Sequence, residues 1–121
     1  MAGHSNAFLQ LVDDARRRIE EIDASDMPAV LAANPDAALI DTREQNEFAA
    51  GHLKGAVWLG KGIIERDIEA HFPDRSQPLY LYCGGGFRSA LAADNLKKMG
   101  YQRPISVDGG WRVLKDILPV E

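Results

Sequence analysis

The segment that most narrows the folds open to this chain is Leu79-Tyr80-Leu81-Tyr82-Cys83-Gly84-Gly85-Gly86-Phe87-Arg88-Ser89. Four strand formers lead straight into Cys83 and three consecutive glycines, and a helical pattern begins just beyond. Glycine has no Cβ, so Gly84, Gly85 and Gly86 are free to take positive φ and aim successive N–H groups inward over Cys83. The start of the following helix adds its positive end. Such donors stabilise a thiolate and do nothing for a thiol, which makes Cys83 a nucleophile. Arg88 brings a permanent charge and a forked donor set suited to an oxyanion such as a sulfonate. Ser89 is placed to cap the helix or to turn its hydroxyl toward the sulfur. Packing alone does not call for this combination.

The rest of the chain alternates helical and strand signals. Phe8, Val12, Ala15, Ile19 and Ile22 recur at helical spacing, which predicts an amphipathic helix from Asn6 to about Glu21. Ser25 reads as the N-cap of a second helix, with Pro28 in its first turn and Asn34-Pro35 ending it. Ala37 to Ile40 reads as a buried strand ending before Asp41, Gln45 to Ala50 as a short helix stopped by Gly51, and Ala56 to Leu59 as a brief strand. Ile64, Ile68 and Phe72 mark a helix. Ala92, Leu96 and Met99 mark the inner face of another that Gly100 ends, before a last strand at Ile105 to Val107 and the turn Asp108-Gly109-Gly110. The alternation predicts an α/β fold, a central, mostly parallel β-sheet with helices on both faces. Ligands of such sheets sit at the carboxyl ends of strands, where Asp41 and Cys83 both fall.

Composition removes several function classes. The 121 residues suit one domain, with 45% hydrophobic and 26% charged residues as in ordinary globular chains. A net charge of -4 gives no broad cationic field, so nucleic acid is not an expected partner. No apolar run approaches the roughly 18 residues that span a bilayer, and no apolar signal core follows Met1, so no membrane partner is expected and the simplest location is the cytoplasm. The single cysteine excludes an internal disulfide, a cysteine-rich zinc site and a two-cysteine redox motif. His4, His52 and His71 share no close spacing suggestive of metal ligation, so no metal is expected.

Four segments, in order, resemble the rhodanese family of sulfurtransferases: Leu39-Ile40-Asp41-Thr42-Arg43-Glu44, Glu47 to Ala56 with its Gly51-His52-Leu53-Lys54-Gly55-Ala56 stretch, Cys83 to Arg88 with Ser89, and Asp108-Gly109-Gly110-Trp111. The match divides the chain into residues 1–21, an N-terminal helical extension packed on the domain, and residues 22–121, a rhodanese-like domain. The resemblance implies a three-layer fold in which Cys83 takes a sulfane sulfur from a small-molecule donor such as thiosulfate. Cys83 then becomes a persulfide and passes the sulfur to cyanide, a thiol or a small protein thiol. Six residues from Cys83 through Arg88 resemble sulfurtransferases, whereas seven resemble the related phosphatases and arsenate reductases. Leu114 stands where the family often has a second aromatic, a packing change. Gly60 to Glu65 looks like a subgroup variant, with Lys61 placed near the pocket mouth.

Other residues carry competing readings. Asp41 and Arg43 are read as an ion pair or hydrogen-bond bracket around the loop rather than as groups acting on substrate. His52, flanked by glycine at a turn, is read as a structural hydrogen-bonding residue, and Trp58 and Trp111 as core. Phe87 either packs or stands at the rim. The rivals to sulfur transfer are a cysteine-dependent phosphatase or arsenate reductase, a non-catalytic adaptor, and an oxidant-sensing thiol that lacks a resolving partner.

Overall fold

The computed structural model describes residues 3–121; Met1 and Ala2, the start of the expected extension, lie outside the described residues. In chain order the elements are α1 (Asn6–Arg16), β1 (Glu20–Asp23), α2 (Met27–Ala33), β2 (Ala38–Asp41), α3 (Gln45–Ala50), β3 (Val57–Trp58), α4 (Ile64–His71), β4 (Leu79–Tyr82), α5 (Phe87–Lys98), β5 (Pro104–Asp108) and α6 (Gly110–Leu114). The five strands form one sheet in the order β1-β5-β4-β2-β3, every pair parallel. No described helix is long and apolar enough to cross a membrane.

The α/β reading holds, and side-chain alternation explains why. In β2 and β4, successive residues point to opposite faces. Ile40, Leu79 and Leu81 join Leu59, Ile64, Ile68, Ala92 and Leu96 under α4 and α5. Leu39 and Tyr82 join Met27, Leu53, Val107 and Leu114 under α2 and α6. Both faces are therefore covered, which is why these strands read as continuous apolar runs. Leu114, in the position where an aromatic was a common alternative, is fully buried in the second cluster.

Three local readings need correction. Helix α1 stops at Arg16, and Ile22 lies in β1, where it pairs with Val107 of β5. An edge strand formed by distant pairing overrides the helical spacing that Ile19 and Ile22 continue. Ser25 is not a cap; its N–H and hydroxyl both donate to Asp23 Oδ1, at 2.9 and 2.8 Å, and Asp23 opens a short 3-10 turn before α2. The turn at Gly109-Gly110 leads into α6, which the sequence reading leaves out.

The register places Asp41 opposite Tyr82, so the ends of β2 and β4 lie side by side and Cys83 follows at once. Tyr82 is fully buried; burial, then the nearby Asp41 charge, pushes its phenol well above the ordinary value, and its oxygen accepts the Leu53 N–H at 3.1 Å. Tyr82→Phe keeps the ring and leaves that amide unpaired, an expected loss of ~1–3 kcal/mol. Urea unfolding measures it, and an unchanged midpoint would mean the amide finds another partner.

Candidate active site

Cys83 lies between the end of β4 and the start of α5, only 1% exposed, and it lines a cavity of about 300 Å³ with Gly84, Gly85, Phe87, Arg88, Arg112, His4 and Phe8. The Gly86 N–H donates to its Sγ at 3.1 Å, and the Ser89 hydroxyl lies 3.5 Å from the same sulfur. Ser89 is buried and shares a 2.8 Å hydrogen bond with Ser106 of β5, so it faces the sulfur and does not cap the helix, whose N-cap is Gly86.

The loop is oriented from behind. Trp111 N–H donates to Cys83 O at 2.7 Å, Arg112 N–H to Gly84 O at 3.2 Å, and Gly109 N–H to Gly85 O at 3.3 Å. No peptide among the described residues is cis, so within each peptide unit the N–H lies opposite the carbonyl and the amides of Gly84, Gly85 and Gly86 turn away from α6. Among the described residues the amides of Gly84, Gly85, Phe87 and Arg88 donate to no protein group. They are free to bind an anion. The expectation of positive φ along the whole glycine run is too broad, because only Gly86 adopts it, at 106°. Gly84 and Gly85 instead leave room: a Cβ on Gly84 would come within 3.2 Å of Arg88 Nη2, and one on Gly85 within 3.7 Å of the Phe87 ring.

Arg88 lines the cavity but does not arrive as a free cation. Its Nη1 donates to Glu47 Oε1 at 2.9 Å, a bond that holds the Glu47 carboxyl below its ordinary range and raises the Arg88 guanidinium. Glu47 therefore belongs to the site, as the sequence reading did not foresee. So do His4, Phe8 and Arg112; Arg112 forms no ion pair among the described residues. Phe87 stands at the cavity wall with His4 and Phe8 and is partly exposed.

Asp41 and Arg43 lie beneath the site. Arg43 Nη2 donates to Asp41 Oδ2 at 2.7 Å and to Gly51 O at 2.6 Å, while its guanidinium sits 4.3 Å over the Trp111 ring. Burial is the largest single influence on Arg43 and opposes its charge; the Asp41 hydrogen bond together with the charges of Asp41, Tyr82 and Glu47 outweighs it and raises the pKa overall. Trp58 and Trp111 are only partly buried, and Trp58 Nε1 donates to Arg43 O at 2.8 Å. His52 is away from the cavity, stacked 3.7 Å from Phe48 with Nδ1 2.9 Å from Phe48 O. Lys61 is not at the pocket mouth; it lines a separate hollow with Leu11, Arg18 and Asp94, because α1 rather than the Gly60–Glu65 loop borders the Cys83 cavity.

Comparison with known proteins follows the same pattern. The Rhodanese-like domain family matches residues 24–116. The thiosulfate sulfurtransferase GlpE of Stutzerimonas stutzeri is 31% identical over 86 residues, covering 71% of this chain and 77% of that enzyme. The uncharacterized protein YqhL of Bacillus subtilis is 37% identical over 76 residues, 63% of this chain, and the match spans 59% of that relative's length. A solved Rhodopseudomonas palustris protein of unknown function, with tyrosine phosphatase suggested for it, aligns at a TM-score of 0.86 and 26% identity. That alignment covers 100% of this chain and 99% of the other.

Two outcomes test this geometry. Gly110 has φ 51°, and a Cβ there would collide with the Cys83 carbonyl. Gly110→Ala is expected to destabilise the fold by ~2 kcal/mol or more in thermal or urea unfolding. The Arg88–Glu47 pair contributes stability only while Glu47 is ionised. Glu47 is depressed in the fold, so that contribution is complete above the ordinary glutamate value of 4.5 and disappears as pH falls through its lower folded value. Both side chains are about a third exposed, so the stability gap between wild type and Glu47→Gln should be under ~1 kcal/mol at neutral pH. It should close in acid; a gap that does not change with pH would refute the pairing.

Proposed function

The chain belongs to the rhodanese-like family, and on that premise we propose that it is a sulfurtransferase working through a Cys83 persulfide. The observation that supports this most directly is the Gly86 N–H at 3.1 Å from Sγ, inside a loop whose other amides have no protein partner. In the first half-reaction the Cys83 thiolate attacks the outer sulfur of thiosulfate. The S–S bond of the donor breaks, its electron pair leaves with sulfite, and Cys83–S–S⁻ forms. Charge is conserved and no proton moves. The terminal persulfide sulfur takes the place open to the loop amides, which stabilise its charge without reorganising. In the second half-reaction cyanide or a thiolate attacks that sulfur, leaving thiocyanate or a new persulfide and restoring the Cys83 thiolate. No cofactor enters either step.

Residues 22–121 carry this chemistry in our reading; of the expected extension at residues 1–21, Glu20 and Glu21 belong to β1 of the sheet. Ser89 helps hold the sulfur, Arg88 fixes the mouth of the loop, and Asp41 and Arg43 support it from below. A thiol acceptor in the cytoplasm, where thiols stay reduced, fits the scheme.

The tyrosine phosphatase suggested for the Rhodopseudomonas palustris neighbour gives a second reading a specific footing. The six-residue cradle from Cys83 through Arg88 weighs against it, because a tetrahedral phosphate needs a wider ring of amides. Intact-mass measurement after thiosulfate should show one added sulfur, removed by a reducing thiol and absent in Cys83→Ser. Hydrolysis of an aryl phosphate that depends on Cys83, with no sulfur uptake, would establish the second reading instead.

A further inference from the structure

A fourth carbonyl of the cysteine loop is held by a residue outside the family's matched region, which begins at residue 24. Arg16 is the last residue of α1, and its Nη2 donates to Gly86 O at 3.5 Å. Its guanidinium also sits 5.1 Å over the Phe87 ring. One planar group therefore grips both the carbonyl before Phe87 and the ring of Phe87 itself. The helix that carries it is firmly docked. Val12 and Ala15 are buried, and Arg18 donates twice to Asp94 of α5 at 2.8 Å.

Pairing with an acid does not account for this placement. Glu21 Oε2 lies 3.2 Å from Arg16 Nε, yet that nitrogen is closed to solvent and makes no hydrogen bond among the described residues, so the carboxylate stands near it but out of line. Burial raises the Glu21 carboxyl above its ordinary range, and the Arg16 charge beside it does not make up the difference; the Asp108 charge adds to the rise. Asp108 Oδ1 is itself 3.7 Å from Arg16 Nη2. A guanidinium free to optimise its ion pairs would not leave a buried donor unmet with a carboxylate in reach, because an unpaired buried donor is costly. The ring and the carbonyl set its plane instead.

Gly86 is where that hold matters. It alone in the loop takes positive φ, at 106°, and without a side chain it is fixed only through its two peptides. The peptide before it carries the N–H that donates to Cys83 Sγ at 3.1 Å, and the carbonyl of that peptide, Gly85 O, accepts the Gly109 N–H at 3.3 Å. The peptide after it carries Gly86 O, which opens the α5 ladder and faces Arg16. The Phe87 N–H of the same peptide points the other way and is one of the unpartnered amides. We propose that Arg16 is a positioning residue for sulfur transfer: it fixes the Gly86–Phe87 peptide, and with it the amides that receive the Cys83 persulfide. This rests on the sulfurtransferase reading and gives the N-terminal helix a part in it. Arg16 is not among the residues lining the cavity, so it acts through the loop and not on the donor.

The test reads the loop with and without a sulfur donor. Arg16→Met keeps an apolar stem against Phe87 and removes the guanidinium. In single turnovers with thiosulfate its maximal rate of persulfide formation should fall about tenfold, with half-saturating thiosulfate within about twofold of wild type. Arg17→Met removes the same charge from an exposed side chain that borders a different hollow, with Lys97 and Lys98, and should match wild type. Cys83 is the only cysteine, so iodoacetamide reports on it alone. Its alkylation at neutral pH should slow about threefold in Arg16→Met and stay unchanged in Arg17→Met. Should Arg16→Met not fold, Arg16→Lys, which keeps a charge and loses the fork, carries the same test with a loss of about threefold. Equal losses in Arg16→Met and Arg17→Met, an unchanged maximal rate, or a loss confined to half-saturating thiosulfate would overturn the proposal. If no donor places sulfur on wild-type Cys83 while alkylation is still slowed by Arg16→Met alone, the sulfurtransferase reading falls and the hold of Arg16 on the loop stands.

Discussion

Three carbonyls of the cysteine loop are held from one side, and everything the sulfur meets follows from that. Trp111, Arg112 and Gly109 donate to the carbonyls of Cys83, Gly84 and Gly85. A trans peptide cannot satisfy its carbonyl toward α6 without turning its N–H the other way. The inward set of amides is therefore enforced by hydrogen bonds made elsewhere, not by the glycines alone. Releasing the carbonyls would forfeit three hydrogen bonds, at ~0.5–1.5 kcal/mol each. Helix α6 thus governs the sulfur's surroundings through the backbone of a neighbouring loop, and Gly110 is required because the two backbones approach too closely for any side chain.

The other end of the support is the buried Asp41–Arg43 pair. Thr42, between them, donates its N–H at 2.9 Å and its hydroxyl at 3.0 Å to the carbonyl of Tyr82, the residue just before Cys83. Arg43 reaches from Asp41 to Gly51 O and lies over Trp111, whose N–H holds Cys83 O. One guanidinium therefore ties the end of β2 to the end of α3 and to α6. Removing either member of such a pair strands a buried charge, at ~3–5 kcal/mol. That penalty accounts for an acid and a base at a strand end that never reach the cavity.

What could be read from the residues was local. The glycine run after Leu79–Tyr82 announced the strand, the turn and the helix start, and apolar runs on both faces of β2 and β4 announced a covered parallel sheet. Long-range pairing stayed hidden. β1 is a strand because β5 offers it a partner, although Ile19 and Ile22 continue a helical period. Glu47 is tied to Arg88 across 41 positions, which no spacing rule signals. His4 and Phe8 join the site because α1 packs on α5, and an amphipathic pattern says that a helix packs without saying on what. Arg112 lies in α6, the short helix that the sequence pattern does not announce, so nothing in the sequence placed it at the cavity.

Charge balance at the cavity singles out one cation. Arg88 is paired with Glu47, and Arg16 lies 3.2 Å from Glu21 and 3.7 Å from Asp108. Arg112 is left as the cation at the cavity without an acidic partner among the described residues. A dianionic donor such as thiosulfate adds two negative charges beside the thiolate, and Arg112 with the unpartnered loop amides is what the cavity offers to offset them.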